Sequence, residues 1–257
     1  MAEAAAGIQL TLLGSADIVD EARLPELYKY PDDLANCWVR ANFISTLDGS
    51  ASVDGKSGGL GGPGDRALFR LMRELADVIV VGAGTVRAEN YSGAQLSVAQ
   101  RQDRQARGQA EVPPIAIVTQ SGHLDRDSLV FTQTEVAPLV LTCTAAAADT
   151  KDRLHGLAEV VDCSGADPAG VDTATMLTVL AARGLLRVLT EGGPSLLGTF
   201  IENDLLDELC LTLAPTVVAG QGGRIAKATG AIATSLRRAH LLADDSGYLY
   251  SRYVRGA

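Results

Sequence analysis

The stretch Leu186-Arg-Val-Leu-Thr-Glu-Gly-Gly-Pro-Ser-Leu-Leu-Gly198 takes an apolar strand through an acid and a glycine pair directly into a helix start. Gly192 and Gly193 can adopt backbone angles that other residues avoid, and they let a ligand approach the main chain closely. Pro194 suits the first turn of a helix. Such a helix directs its free N–H groups and the positive end of its dipole at whatever lies over the glycines, typically a phosphate. The stretch therefore predicts an anion site. The same sequence is also compatible with a tight turn in which the glycines serve only packing.

Composition and charge narrow the classes of function. Of 257 residues, 47% are apolar and 21% charged, which predicts a soluble globular protein with one large domain. The formal net charge of −9 argues against nucleic acid or an anionic membrane as a partner, because both need a basic surface. No stretch approaches the roughly 18 apolar residues that span a bilayer, and Met1 to Gly14 lacks the basic start of a secretory signal. We expect a cytoplasmic protein.

Cysteines and histidines give no metal pattern. The cysteines form no CxxC pair and are expected to be buried small hydrophobic side chains; they are Cys37, Cys143, Cys163 and Cys210. The histidines lack HExxH spacing and are expected to be structural or solvent-facing; they are His123, His155 and His240. No metal site is expected. A hydrolase is disfavoured, because Ser195 does not lie in a GxSxG motif.

Short β-branched runs alternate with helical patterns, which predicts an α/β fold with a largely parallel central sheet flanked by helices. The predicted buried strands are Trp38 to Ile44, Val78 to Val81, Ile115 to Val118, Leu139 to Thr142, Val160 to Asp162, Leu186 to Leu189 and Leu209 to Leu213. The predicted helices are Asp65 to Ala76, Thr173 to Arg183 and Ser195 to Asn203. The alternation from Tyr248 to Val254 predicts an antiparallel edge strand.

Two segments have weaker patterns. Residues 1–35 are predicted to be a partly irregular N-terminal arm, followed by a single domain over residues 36–257. The polar segment from Leu96 to Arg107 carries Arg101, Arg104 and Arg107 at threefold spacing, and is predicted to present a solvated helix face.

Three loops follow predicted strands and are expected to line one crevice, since ligands bind at the carboxyl ends of strands in open α/β sheets. They are Ser45 to Gly49, Gly82 to Val86, and the opening glycine pair with Glu191. The second is no standard Rossmann fingerprint, because Arg87 stands where GxGxxG needs its third glycine.

Four motifs together resemble one known family: the reductase domain of riboflavin-biosynthesis pyrimidine deaminase/reductases, which has a dihydrofolate-reductase-like fold. They are Phe43 to Gly49, Leu71 to Val86, Glu191 to Leu197 and Leu206 to Pro215. The resemblance covers about residues 36–254. The HxE and PCxxC zinc signature of the companion deaminase domain does not occur in these 257 residues, so we expect a stand-alone reductase.

The resemblance implies the activity of a 5-amino-6-(5-phosphoribosylamino)uracil reductase, in which NADPH reduces the ribosylamino group to a ribitylamino chain. It also implies a homodimer, to which the strand from Leu205 to Leu213 could contribute. The positions that match cofactor contacts of the family are Ile44, Thr85, Glu89, Ser121, Gly192, Gly193, Pro194, Ser195, Leu196 and Leu197. Ser121 matches a position near the adenosine phosphate.

The substrate positions that match the family are Ser57, Arg73 and Glu191. Arg73 suits a phosphate, and Glu191 can accept a hydrogen bond from a pyrimidine amino group. Asp48 and Glu191 are the catalytic candidates, with Asp48 placed to orient or protonate the substrate. Two alternatives stay open: Asp48 holds its own turn, as aspartate before glycine often does, and Arg73 is a helix-surface charge.

One departure from the family bears on the substrate. Members of the family usually carry Asp-(Asp/Asn)-Pro followed by Leu-Thr-x-Arg. The matching segments here are Glu89-Asn-Tyr91 and Leu96-Ser-Val-Ala99. Alanine therefore replaces an arginine that, by the resemblance, helps to bind the substrate phosphate. Arg101 or Arg104 could replace it; without either, a contact of about 1.5–3 kcal/mol is lost. Two further hypotheses therefore remain: a reductase of the same fold that acts on a pterin such as dihydrofolate, and a dinucleotide-binding protein without turnover. The intact polar positions argue against the last.

Overall fold

The structure, a computed structural model, describes residues 18–256, and within them nine strands form one sheet. The strands are β1 (Trp38–Thr46), β2 (Val78–Gly82), β3 (Ile115–Val118), β4 (Leu139–Thr142), β5 (Glu159–Asp162), β6 (Arg187–Gly192), β7 (Glu208–Ala214), β8 (Leu236–Ala243) and β9 (Leu249–Arg255). The helices are α1 (Leu24–Leu27), α2 (Pro63–Leu75), α3 (Ala83–Ala88), α4 (Val98–Ala106), α5 (Leu129–Thr132), α6 (Thr144–Arg153), α7 (Thr173–Ala181) and α8 (Pro194–Glu202).

The strand order is β5-β4-β3-β2-β6-β1-β7-β9-β8, and β1 to β7 are all parallel to their neighbours within that group. β9 pairs antiparallel with β7, which confirms the predicted α/β fold with an antiparallel C-terminal strand. The prediction that this strand lies at the edge is wrong, because β8 pairs with its outer side. β8 is mostly exposed, so its sequence carries no clear apolar alternation.

Alternate residues of the central strands point to opposite faces of the sheet, and helices cover both faces. On one face Ile79 and Val81 of β2 share a buried cluster with the apolar side of α2. On the other, Val78 and Val80 pack with residues of α7 and α8, among them Phe200. The described part of the N-terminal arm belongs to the first cluster, since Tyr28 is only 1% exposed; residues 1–17 of the arm lie outside the described residues.

The predicted solvated face of α4 is wrong at Arg104, whose side chain is fully buried. Its Nη1 donates to the carbonyl oxygens of Glu74 and Ala76, at 2.7 and 2.5 Å, and its Nε to that of Ala110, at 2.7 Å. Arg104 therefore binds carbonyls at the C-terminal end of α2, a favourable place for a cation. Burial lowers the pKa of its guanidinium to about 10.

A second buried charge network crosses β1, β7 and β9. The side chains of Arg40 and Glu208 are both 0% exposed, with Arg40 Nε 2.6 Å from Glu208 Oε1. Arg252 Nε donates to the same carboxylate at 2.7 Å, and Trp38 Nε1 at 3.0 Å. The ring of Tyr30 lies 3.8 Å from the Arg40 guanidinium. These contacts link the end of the N-terminal arm to three strands.

His240 on β8 should make stability sensitive to pH. Its ring packs edge-on against Tyr28, with centroids 4.9 Å apart, and burial, reinforced by nearby Arg252, lowers its pKa from 6.5 to about 4. Since the folded state disfavours the protonated ring, the contribution of neutral His240 to the free energy of unfolding is complete above pH 6.5 and is lost as the pH falls towards 4.

We expect His240→Phe to lose less stability than the wild type between about pH 7 and about pH 4.5, as measured by urea unfolding. Parallel losses in the two proteins would contradict this role, and the exposed His155, changed to Gln, is the control.

Candidate active site

A cleft of about 1600 Å³ opens at the carboxyl ends of β3, β2, β6 and β1. A pocket for one small ligand usually has roughly 300–1000 Å³, so this cleft has room for a dinucleotide and a second ligand. Its lining includes five basic side chains and four acidic ones, although the whole chain has a net charge of −9. The cleft is therefore locally more basic than the protein.

The glycine pair forms the floor of the cleft where the loops after β2 and β6 meet. A Cβ atom on Gly192 would lie 2.6 Å from Thr85 Cγ2, so any other residue there would force Thr85 to move. Gly193 has a φ of +95°, and a Cβ atom there would lie 3.5 Å from the Gly82 Cα. Both glycines thus permit a close approach of two loops, and α8 begins immediately after them at Pro194. The glycine pair therefore allows the two loops to pack closely and also leads directly into the N-terminus of α8.

Glu191 lines the cleft, and its carboxylate accepts hydrogen bonds from two side chains. Arg73 Nε donates to Glu191 Oε1 at 2.8 Å, and Arg73 Nη2 donates to Oε2 at 2.7 Å. The hydroxyl of Tyr91 also donates to Oε2. The Glu191 side chain is only 1% exposed and that of Arg73 14%. Arg73 is therefore no helix-surface charge; it neutralises Glu191 inside the cleft.

Two further predicted positions bind each other. The main-chain N–H and the hydroxyl of Ser57 both donate to Glu89 Oε1, at 2.8 and 2.9 Å. Both residues line the cleft. Glu89, assigned to the cofactor by resemblance, thus also fixes the loop that carries Ser57.

Asp48 is placed differently from the other candidates. Its exposed carboxylate accepts hydrogen bonds from the Thr46 hydroxyl and from the main-chain N–H of Ala219, at 2.7 Å. The Thr46 hydrogen bond, with those from the loop amides, lowers the pKa of this carboxyl. Asp48 therefore holds its own turn and the loop around Ala219, which lines the cleft. This geometry favours the structural alternative for Asp48 over direct contact with substrate.

Of the ten positions that match cofactor contacts, Leu197 faces the core, 1% exposed, and the other nine line the cleft. Sequence patterns do not predict the loop that contains Arg224 and Lys227, which contacts α8 where the Lys227 main-chain N–H donates to the Pro194 carbonyl at 2.8 Å. A Cβ atom on Gly198 of α8 would lie 1.8 Å from the Lys227 carbonyl oxygen. The loop carries Arg224 and Lys227 to the cleft, and only the small residue in α8 marks this contact in the sequence.

The two arginines that could replace the missing family arginine are bound elsewhere. Ala99 lies on α4. Arg101, on the same helix, forms an ion pair with Glu135 at 2.6 Å, and Arg104 binds the end of α2. Neither lines the cleft, so a substrate phosphate would need another cation; Arg66, on the first turn of α2, does line it.

Residues 37–250 match the family described as the RibD C-terminal domain. The chain belongs to this family. Among curated relatives, the 2,5-diamino-6-ribosylamino-4(3H)-pyrimidinone 5′-phosphate reductase of Aquifex aeolicus is 31% identical, over 66% of this chain and 75% of its own length. The enzyme of the same name from Archaeoglobus fulgidus is 25% identical, over 72% of this chain and 83% of its own length.

A solved structure extends the likeness to the fold. A pyrimidine reductase-like protein from Corynebacterium diphtheriae is 28% identical, with a TM-score of 0.79, over 93% of this chain and all of that one. Membership of the RibD C-terminal domain family confirms the predicted oxidoreductase and the reductase-domain fold. Within residues 18–256, no helix is long and apolar enough to cross a membrane. The same part of the chain holds no group of three or more His, Cys, Asp and Glu side chains that could bind a metal ion.

Proposed function

We propose that this chain catalyses the NADPH-dependent reduction of a phosphoribosylaminopyrimidine to the ribitylamino compound. The observation that carries the proposal is the position of Glu191, which ends β6 directly before the glycine pair. One short segment thus presents a carboxylate for a heterocycle and a helix N-terminus for a dinucleotide. The names of the curated relatives support a ribosylaminopyrimidine as the heterocycle.

The glycine side of the cleft suits the phosphates of a dinucleotide. The first turn of α8 offers free N–H groups and a positive dipole end, and Arg224 and Lys227 line the adjoining wall. Arg87, on α3, lies beside the loop after β3, where its Nη1 donates to the His123 carbonyl at 3.4 Å. That loop contains Ser121, the position expected near the adenosine phosphate. Together these groups support NADPH as the cofactor.

The opposite side suits the heterocycle. Bound NADPH supplies a hydride to the electrophilic sugar carbon of the substrate. The protein's own contribution is to hold the ring and the sugar in reach of it. Glu191, fixed by Arg73, can accept a hydrogen bond from a ring N–H. The low exposure of Glu191 strengthens that contact, because water competes little with it.

Turnover with two candidate substrates tests the proposal. Oxidation of NADPH is followed by absorbance with the phosphoribosylaminopyrimidine and, in parallel, with dihydrofolate. We expect turnover with the pyrimidine and none with dihydrofolate. Tight NADPH binding without turnover of either compound would refute the proposal and favour a binding protein, while turnover of dihydrofolate alone would assign a pterin reductase.

Arg87 should separate NADPH from NADH. A charge-assisted hydrogen bond to the additional phosphate of NADPH contributes about 1.5–3 kcal/mol, so Arg87→Ala should weaken NADPH binding about tenfold or more and leave NADH binding unchanged. Fluorescence titration of both cofactors measures this. Arg70→Ala, another exposed arginine outside the cleft lining, is the control. Equal losses for both cofactors would contradict a role in choosing NADPH.

From the family resemblance alone we also propose a cytoplasmic homodimer. Both edges of β7 are already paired, with β1 and β9. The predicted contribution of this strand therefore cannot be sheet pairing between subunits. Sedimentation of the purified chain tests the dimer.

A further inference from the structure

The hydrogen bonds at Glu191 limit what a substrate can offer it. A carboxylate accepts about four hydrogen bonds, two on each oxygen. Arg73 takes one position on Oε1 and one on Oε2. The Tyr91 hydroxyl takes the second position on Oε2. One acceptor position is left, on Oε1.

Tyr91 is held firmly enough to keep that position occupied. The residue is only 9% exposed, and its ring centroid lies 5.1 Å from the Arg73 guanidinium carbon. Phe69 provides a second ring, at 4.2 Å from the same carbon. Both rings lie within cation–π distance of the Arg73 guanidinium, which stabilises the position of Tyr91 beside Arg73.

Two pyrimidines are candidate substrates for this family, and they differ in the hydrogen-bonding groups along one edge of the ring. The 2,5-diaminopyrimidinone named for the curated relatives presents two adjacent donors, a ring N–H and an amino group. The aminouracil ring has a carbonyl in place of that amino group, so its N–H stands next to an acceptor. Two adjacent donors suit a carboxylate with both oxygens free. A single donor suits a carboxylate with one free position.

We infer that Tyr91 is a specificity-determining residue: its hydroxyl restricts Glu191 to one ring donor, and so selects the phosphoribosylaminouracil over the 2-amino ring. The inference rests on the proposed function. On the 2-amino ring the amino group would lie in a poorly exposed site without its acceptor, which is unfavourable. For the uracil carbonyl, Arg73 has donors to spare, since only two of its five N–H groups bind Glu191.

Kinetics with both pyrimidines test this inference. We expect the wild type to reduce the phosphoribosylaminouracil with a kcat/KM about tenfold or more above that for the 2-amino compound. Tyr91→Phe keeps the ring and removes the hydroxyl, so this ratio should fall to about one. The matched control is Tyr248→Phe, whose hydroxyl donates to the Leu60 carbonyl at 2.9 Å; it should keep the wild-type ratio.

A wild-type preference for the 2-amino ring, or an unchanged ratio in Tyr91→Phe, would overturn the inference. Calorimetric binding of the two free ring compounds to the NADPH complex separates this failure from failure of the proposed function. If the wild type reduces neither pyrimidine, the proposed function fails. If the wild type binds the uracil ring preferentially and Tyr91→Phe loses this preference, the role of Tyr91 is still supported. If the wild type binds both rings equally, or binds neither, the role of Tyr91 is refuted.

Discussion

Glu191→Gln should lower kcat/KM for the pyrimidine by about one hundredfold and change NADPH affinity little. The substitution removes the negative charge that binds Arg73 at 2.8 and 2.7 Å, and it replaces a carboxylate oxygen by an amide donor. The Glu191 side chain is 1% exposed, so water cannot take over the lost contacts. Under the proposed function, the cofactor is bound mainly by other groups, namely the glycine pair and the first turn of α8.

Steady-state kinetics and NADPH titration of the same preparation measure both quantities. Glu202→Gln is the control, because this carboxylate accepts from Thr229 at an exposed site, at 3.0 Å. Equal losses of turnover and NADPH affinity would refute the role of Glu191 in substrate binding.

Glu208→Gln should have the largest effect on stability, about 3–5 kcal/mol of unfolding free energy. Glu208 lies between Arg40, whose side chain is 0% exposed, and Arg252, whose side chain is 15% exposed. Removing the charge leaves Arg40 buried without its counter-ion, which is the costly case. Urea unfolding at neutral pH measures the loss. Glu159→Gln breaks an exposed pair with Arg183 and should cost less than about 1 kcal/mol.

The same carboxylate should contribute to loss of stability in acid. Burial opposes the ionisation of Glu208, but Arg40 and Arg252 outweigh it and lower its pKa below the usual 4.5. Its contribution is therefore complete above pH 4.5 and is lost as the pH falls through the lower pKa of the folded state. Glu208→Gln should flatten this part of the stability curve. An acid limb identical to that of the wild type would contradict it.

The parallel sheet could be predicted because its strands are short apolar runs that end in glycine or polar loops. β2 and β6 are examples: four or more of their residues are buried. β8 could not be predicted, since this edge strand is mostly exposed and its apolar residues do not alternate regularly with polar ones. The burial of Arg104 could not be predicted for a related reason. Its partners are main-chain carbonyls of α2, and the sequence does not indicate which carbonyls a distant side chain will meet.

In the candidate site too, the local sequence predicts the position of some residues but not their contacts with residues distant in the chain. Gly192, Gly193 and Glu191 are adjacent in sequence, and their place at a strand end follows from the strand–turn–helix pattern. The contact of Tyr91 with Glu191 joins residues 100 positions apart, and no local pattern predicts it. Asp48 stands in a family motif, but its carboxylate binds the loop at Ala219, far along the chain. The motif places Asp48 at the turn after β1, whereas the contacts of its carboxylate depend on a loop that is distant in sequence.

Deuterium transfer tests the central claim most directly. The wild type is incubated with the phosphoribosylaminopyrimidine and NADPH that carries deuterium at its transferable position, and the product is examined by mass spectrometry and NMR. We predict a ribitylamino product with a single deuterium on the carbon that was the anomeric C1′ of the ribosyl group, and much less of it with Glu191→Gln. A product without deuterium, or no product in the presence of bound NADPH, would contradict the assignment of this cleft as a pyrimidine reductase site.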